Sequence, residues 1–232
     1  MDSLEAVRDD VIACRRCPRL VAHREETART KRRMYMDWDY WGRPVPGFGD
    51  PEAELLIVGL APAAHGANRT GRMFTGDASG NWLYRALHRA GFANKPTSEH
   101  RGDGLELTGA YVTAVVRCAP PDNRPTAEEQ HACRPFLQRE FDVLRNVKVI
   151  VALGHIAYAG VWQLAKAHGA AGSRPAFAHG RVHRLAPAFP TVVCSYHPSR
   201  QNTQTGRLTE SMFDDVFRTA RALIDGRCVD TA

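Results

Sequence analysis

Four short apolar runs constrain the fold of this chain more than any other feature. They are rich in valine, isoleucine or leucine, do not alternate with polar residues, and occupy residues 55–59, 110–116, 147–153 and 191–195. Runs of this kind are typical of strands that are buried on both faces. Helical patterns separate the runs, and strands that alternate with helices predict a parallel sheet covered on both sides. We therefore predict one domain over residues 1–232, a three-layer α/β/α sandwich with a central four-stranded parallel sheet.

The helical patterns carry recognisable start signals. Residues 3–32 form a helical N-terminal region that should break at Pro18, because proline cannot continue a helix. Thr126 and Glu129 have the spacing of a capping box. Thr209 should begin the last helix. The buried face of that helix is predicted to contain Phe213, Val216, Phe217, Ala220 and Leu223.

Four cysteines are spaced as metal ligands. Cys14 and Cys17 form a tight pair, whereas Cys118 and Cys133 are separated by fourteen residues. Four thiolates suit either a tetrahedral zinc ion or a [4Fe–4S] cluster, and the wide second spacing favours the cluster without excluding zinc. Disulfides are the competing interpretation, which the absence of a secretory signal disfavours.

The two remaining cysteines have no close partner. Cys194 lies in an apolar run, and we interpret it as a small core residue. Cys228 is near the C-terminus.

The charge balance indicates a phosphate-bearing partner but does not require one. Lysines and arginines number 31 against 25 aspartates and glutamates, a net charge of +6. An excess of arginine can reflect only a GC-rich genome, or it can serve phosphate recognition. Residues 24–33 are especially basic, and would form a solvated helix face or a contact to a nucleic-acid backbone. With no apolar run long enough for a bilayer and no signal peptide, we expect a cytoplasmic protein without membrane contact.

Two polar side chains follow predicted strands, where parallel sheets bind ligands. Asp77 ends a glycine-rich segment that begins at the first strand, and it precedes a helix. It could be an N-cap, a catalytic carboxylate or both. His197 follows the last strand and is locked by Pro198; a lone histidine is often structural, but this position also suits a donor into a cleft.

Several motifs together give the chain a specific resemblance. They are Gly-Leu-Ala-Pro-Ala-Ala-His-Gly, Asn-Arg-Thr-Gly-Arg-Met-Phe-Thr-Gly-Asp-Ala-Ser-Gly, Arg-Cys-Ala-Pro-Pro-Asp-Asn-Arg-Pro-Thr and Tyr-His-Pro-Ser-Arg-Gln-Asn-Thr-Gln-Thr-Gly. With the four cysteines, they resemble the family 5 uracil-DNA glycosylases (UDGb), the iron–sulfur branch of their superfamily. The resemblance extends from Cys14 to the last helix. It implies that Cys14, Cys17, Cys118 and Cys133 hold a [4Fe–4S] cluster that ties residues 1–50 to the rest.

The resemblance also implies an activity. A monofunctional DNA-repair enzyme would hydrolyse the N-glycosidic bond of uracil flipped out of DNA, in base excision repair, leaving an abasic site. We expect its partner to be double-stranded DNA with deaminated bases, or single-stranded DNA, and expect a monomer associated with a bacterial or archaeal nucleoid.

The family's functional residues carry over to matching positions. Phe74 would stack on the base and Asn123 would read its edge, while His197 would donate to the uracil oxygen where charge develops. Asp77 would stabilise the sugar cation or orient water. Residues 200–206, including Arg200, Gln201 and Asn202, would follow the DNA backbone as a loop and wedge into the helix.

One departure from the wider superfamily concerns the first strand's end. Most branches have an acid or amide there, whereas residues 59–66 have none and include Ala61, Ala63 and Ala64. This leaves Asp77 as the only acid in the motif, and the resemblance implies a roomier pocket that also accepts hypoxanthine. The alternative function is a non-catalytic iron–sulfur DNA-binding module. A zinc phosphohydrolase would need clustered histidines and carboxylates, which the sequence does not offer.

Overall fold

The computed structural model describes residues 2–227, which leaves Cys228 outside the described part. One sheet contains six strands: β1 (Phe48–Gly49), β2 (Leu55–Gly59), β3 (Ala110–Ala114), β4 (Val149–Leu153), β5 (Val182–His183) and β6 (Thr191–Ser195). Their spatial order is β1-β3-β2-β4-β6-β5. The four central strands are parallel, and the two-residue strands at the edges are antiparallel.

The predicted four-stranded parallel core is confirmed, with shorter strands. Hydrogen bonding as a strand ends at Ala114 rather than at residue 116, and β4 begins at Val149 rather than at residue 147. The edge strands β1 and β5 were not predicted, because two residues are too short to show a pattern. Along the sheet, Gly59 pairs with Ala114 and Leu153 with Ser195, so the carboxyl ends of the central strands are level.

Eight helices surround the sheet among residues 2–227. In chain order they are α1 (Leu4–Ala13), α2 (Pro18–Thr30), α3 (Ala67–Thr70), α4 (Ala78–Arg89), α5 (Ala127–Val143), α6 (His155–Ala167), α7 (Arg200–Gln204) and α8 (Glu210–Ile224). Short 3₁₀ turns occur at Arg33–Tyr35 and Pro121–Asn123. None of these described helices has both the length and the apolarity needed to cross a membrane.

Two hydrophobic cores lie on opposite faces of the sheet and give it three layers. On one face Leu56 and Ile150 pack with residues of α1, α5 and α6. On the other face Leu55 and Val151 pack with residues of α4 and α8. Because neighbouring residues of one strand point to opposite faces, each central strand needs apolar residues throughout. The α/β/α prediction is therefore confirmed.

The helix signals in the sequence also hold in the structure. Pro18 is the first residue of α2, a position where the missing N–H costs nothing. The Thr126–Glu129 capping box is complete, and the Thr209 hydroxyl caps α8. Within α8 the predicted face is confirmed: Phe213, Val216, Phe217 and Ala220 are buried, and the half-buried Leu223 packs against the same core.

Two expectations about irregular or exposed segments were wrong. Residues 200–204 form the helix α7 rather than a loop, because the Ser199 hydroxyl accepts from the Asn202 N–H and starts a helical turn. In the basic segment 24–33, Arg24 is not on a solvated face: it is 2% exposed. Its burial is explained by its partner in the cysteine cavity described below.

Candidate active site and cysteine cavity

The strand order creates a crevice at the carboxyl ends of the central strands. The chain passes from β2 to β3 through α4 on one face, and from β3 to β4 through α5 on the other. The switch of face puts β2 between its two successors, the arrangement that opens a ligand crevice in α/β sheets. The segments that follow β2, β4 and β6 therefore meet at one place, which we call the strand-end site.

Phe74 and His197 form the aromatic part of the strand-end site. Their ring centroids are 5.9 Å apart with planes inclined by 30°. The Phe74 ring lies so close to Gly59 that a Cβ at Gly59 would overlap it. Gly154 (φ 93°) follows β4 in a left-handed conformation, with its Cα facing the His197 side chain. Glycine at the ends of β2 and β4 thus gives room to the Phe74 ring and to the Cβ of His197.

The His197 imidazole is neutral at physiological pH. Burial lowers its pKa to about 4, because a charged ring would lose its hydration there. Its backbone is held by Asn202 of α7, whose Nδ2 donates to the His197 carbonyl oxygen at 2.9 Å. Asn202 was predicted to contact DNA, which stays a prediction; in the structure its amide supports the His197 backbone.

Asp77 is the N-cap of α4, as one of its two interpretations predicts. Its Oδ1 accepts a hydrogen bond from the Gly80 N–H at 2.9 Å. Its Oδ2 lies against Gly66, where a Cβ would overlap the carboxylate. Burial raises the pKa of Asp77, while the capping N–H and the charges of Arg69 and Arg200 oppose that rise. The cap hydrogen bond thus uses Oδ1 and not Oδ2.

An open surface groove, called the groove below, extends from Asp77. Its lining includes Tyr35, Trp38, Arg69, Asp77, Arg85 and Arg200. Arg69 is 3% exposed, and its guanidinium lies 3.9 Å from the Tyr35 ring centroid and 4.0 Å from that of Trp38. It also donates to the carbonyl of Gly76, next to Asp77, at 2.8 Å. The sequence does not predict this arrangement, because nothing in the spacing links residue 69 to residues 35 and 38.

The other predicted base and DNA contacts lie around this centre. Ala61 and Ala63 are half-buried in the segment after β2. Asn123 is exposed on the 3₁₀ turn after β3, with a left-handed φ of 56°. Arg200 is exposed and lines the groove, whereas Gln201 is exposed on α7.

The four predicted ligand cysteines line a single cavity, the cysteine cavity, which shares no lining residue with the groove. Cys14 ends α1 and Cys17 precedes α2, whereas Cys118 follows β3 and Cys133 lies on α5. No three His, Cys, Asp or Glu side chains of residues 2–227 are grouped as a single-metal-ion site. The donor set of the cavity is all sulfur, which suits an iron–sulfur cluster. Cys194, in contrast, is fully buried in β6, as predicted for a core residue.

Two N–H groups point at sulfur atoms of the cysteine cavity. The Arg24 Nη1 donates to the Cys118 Sγ at 2.9 Å, and the Arg117 backbone N–H donates to the Cys133 Sγ at 3.3 Å. Donors to sulfur stabilise thiolates and tune thiolate-bound clusters. The buried position of Arg24 is therefore explained by the cavity, a role that a charge count could not reveal.

Comparison of the sequence with known proteins identifies the family of this chain. Residues 46–221 match the family model described as the uracil DNA glycosylase superfamily. The chain is 53% identical over 220 residues to a type-5 uracil-DNA glycosylase of Thermus thermophilus, covering 94% of this chain and 97% of that one. It is 52% identical over 222 residues to the type-5 enzyme of Mycobacterium leprae (95% and 96%).

A more distant relative is a type-4 uracil-DNA glycosylase of Sulfurisphaera tokodaii. It is 34% identical over 155 residues, which cover 66% of this chain and 56% of that one. Identity above 50% over nearly the full chain, together with the family match, sets the assignment. The chain belongs to the uracil DNA glycosylase superfamily, and within it to the type-5 uracil-DNA glycosylases.

Proposed function

We propose that this protein removes uracil from DNA by hydrolysing the N-glycosidic bond of a flipped-out nucleotide, which leaves an abasic site. The observation that carries the proposal is the strand-end site, where the Phe74 ring lies 5.9 Å from the ring of the neutral His197 and the capping Asp77 follows Phe74 by three residues. The names of the type-5 relatives support uracil as the base.

The extruded base needs a surface to replace the stacking that it loses. Flipping costs a few kcal/mol, and the cost is lowest for a mismatched base such as uracil opposite guanine. Phe74 offers a ring at the floor of the crevice. Asn123 supplies an amide with both a donor and an acceptor for the uracil edge, and its exposure leaves the side chain free to approach DNA.

His197 acts on the leaving group. As the glycosidic bond breaks, negative charge develops on the uracil oxygens, and a placed donor stabilises that charge more than it stabilises the intact substrate. Since the imidazole is neutral at pH 7, it donates an N–H without transferring a full proton. The uracil leaves as an anion and is protonated later by solvent.

Asp77 acts on the sugar side of the bond. Positive charge develops on the deoxyribose, and a carboxylate stabilises it or orients the attacking water. The fixed Oδ1 in the helix cap holds the carboxylate in one orientation, so Oδ2 has a defined position beside Gly66. One water molecule adds to the sugar carbon, and its proton is lost to solvent or to the carboxylate.

The range of bases follows from the segment after β2. Ala61, Ala63 and Ala64 present only methyl groups, so this side of the crevice has no polar group that would reject a larger base. We therefore include hypoxanthine among the substrates. Double-stranded DNA with deaminated bases is the proposed partner, contacted by Arg200 and Gln201 on the exposed face of α7, and the protein acts as a monomer. Phosphate contacts make affinity fall with salt.

The proposal includes a [4Fe–4S] cluster held by Cys14, Cys17, Cys118 and Cys133. When bound, the cluster supplies a covalent tie between the two N-terminal helices and the sheet and takes no part in bond cleavage. The separation of the cysteine cavity from the groove supports this structural role.

The decisive test is incubation of the iron-loaded protein with a duplex that contains one uracil, followed by alkaline cleavage of abasic sites. Strand cleavage at the uracil position, and none with a thymine duplex, is the expected result. A hypoxanthine duplex tests the base range in the same assay. DNA binding without any strand cleavage would instead support the non-catalytic iron–sulfur module.

A further inference from the structure

The described large apolar side chains with the greatest exposure both lie in one turn beside the groove. Met34 is 64% exposed and Met36 is 54% exposed. They belong to residues 33–36, which we call the Met turn. Apolar groups of this size in water mark interaction sites when they cluster. The Met turn is therefore a candidate interaction site.

The Met turn is fixed at the rim of the groove by its neighbours. The Tyr35 and Trp38 rings both pack against the Arg69 guanidinium, and they line the groove with Asp77. On its other side, the Lys31 Nζ donates to the Met36 carbonyl oxygen at 3.1 Å, and Lys31 has a left-handed φ of 54°. The two methionines are therefore exposed on a backbone turn that its neighbours hold in place.

Charge indicates a nucleic acid as the partner. Lys31, Arg32 and Arg33 directly precede the exposed methionines, and Arg32 and Arg33 are themselves exposed. Asp37 and Asp39 follow, so the Met turn is basic on its N-terminal side only. Basic side chains beside an apolar tip are the combination by which proteins kink DNA: the cations contact phosphates, and the apolar wedge enters a base step.

Residues 200–206 were expected to wedge into the DNA helix, but they offer no apolar wedge. Residues 200–206 are Arg, Gln, Asn, Thr, Gln, Thr and Gly, without one large apolar side chain. Building on the proposed function, we infer that Met34 and Met36 form the wedge that fills the base stack when uracil is extruded, while α7 contacts the backbone from the other side of the groove. Unbranched methionine suits this role because it adapts to an irregular space.

The test compares the double variant Met34→Gln/Met36→Gln with the wild type in single-turnover cleavage of two duplexes. Glutamine keeps the side-chain length and removes the apolar character. In one duplex uracil pairs with adenine, and in the other it faces an abasic-site analogue, so that no pair must be broken. We expect the variant to lose about tenfold or more on the paired uracil and less than threefold on the unopposed uracil.

Met212→Gln is the matched control, because Met212 is half-buried on α8 and packs against the core. It should change both rates equally. A second readout is the fluorescence of 2-aminopurine placed beside the uracil, which rises on unstacking and needs no bond cleavage. Equal losses on both duplexes, or none, would overturn the wedge. Absence of cleavage by the wild type with a normal fluorescence rise would instead overturn the proposed activity and leave the wedge standing.

Discussion

His197 and Asp77 act on opposite sides of one bond in the proposed reaction, so their variants should fail in different ways. In that proposal the imidazole faces the leaving base, and the carboxylate faces the sugar. Both residues also take part in hydrogen bonds of the fold: the His197 carbonyl accepts from the Asn202 amide, and Asp77 caps α4. Measurements of cleavage rate, DNA affinity and melting temperature together separate the effect of each variant on catalysis from its effect on stability.

Replacing His197 with alanine should slow single-turnover cleavage of a uracil duplex by roughly 100-fold or more, as loss of a well-placed donor to a developing anion does. Affinity for a duplex with an uncleavable uracil analogue should change far less, since the hydrogen bond strengthens only as charge develops. His131→Ala, which removes an exposed histidine of α5 outside the groove, is the matched control and should keep the wild-type rate. A parallel loss of rate and affinity would make His197 a binding residue.

Replacing Asp77 with asparagine should separate the cap from the chemistry. Asparagine keeps an oxygen for the Gly80 N–H, so the melting temperature should hold while the cleavage rate falls. The wild-type rate should fall on the acid side as the carboxylate is protonated, at a higher pH than for an ordinary aspartate, because burial raises the Asp77 pKa.

The pH profile also assigns the titrating group. The acid limb should persist in His197→Ala, because that imidazole is already neutral above its pKa of about 4. The limb should vanish in Asp77→Asn. The reverse pattern, or near-wild-type cleavage by Asp77→Asn, would reduce Asp77 to a helix cap.

At the scale of elements, the sheet was predictable and the local supports of the site were not. Four unbroken apolar runs require strands buried on both faces, and parallel strands put Asp77 and His197 at one edge. In contrast, the packing of Arg69 against the Tyr35 and Trp38 rings joins segments more than thirty residues apart, and no pattern in the sequence encodes it. Likewise α7 forms because Ser199 caps it, although its residues have the composition of a loop.

The turn between β2 and α3 should matter for catalysis more than for folding. A methyl group at Gly66 would overlap the Asp77 Oδ2, so Gly66→Ala should displace the carboxylate and slow cleavage at least tenfold. Gly102→Ala is the matched control, since its Cβ would meet only the edge of His100. We expect both variants to keep cooperative unfolding. A wild-type cleavage rate in Gly66→Ala would show that the position of Oδ2 is not critical.

At the scale of the molecule, the cysteine cavity joins parts of the chain that are distant in sequence. Cys14 and Cys17 lie between α1 and α2, whereas Cys118 follows β3 and Cys133 lies on α5. The spacing of the cysteines predicted a four-thiol site, and the structure puts all four around one cavity. The spacing did not predict that Arg24 of the basic segment 24–33 is buried there, with its guanidinium donating to the Cys118 sulfur. A buried cation is costly without negative partners, so its position fits thiolates that carry a cluster.

Cys17→Ala therefore tests the molecule as a whole. Loss of one thiolate ligand should abolish the brown colour and the bound iron, and it should lower the melting temperature by several degrees or more, because the N-terminal helices lose their tie to the sheet. Cys194→Ala is the matched control: it also removes one buried thiol, but from β6, outside the cysteine cavity, and it should retain the iron. Iron content, visible absorbance and thermal unfolding are measured on both proteins, with uracil cleavage as the last readout. A Cys17→Ala protein that stays folded and cleaves uracil without iron would show that the four cysteines are not a structural metal site. A variant that loses iron and activity but keeps the wild-type melting temperature would place the cluster in the reaction rather than in the fold.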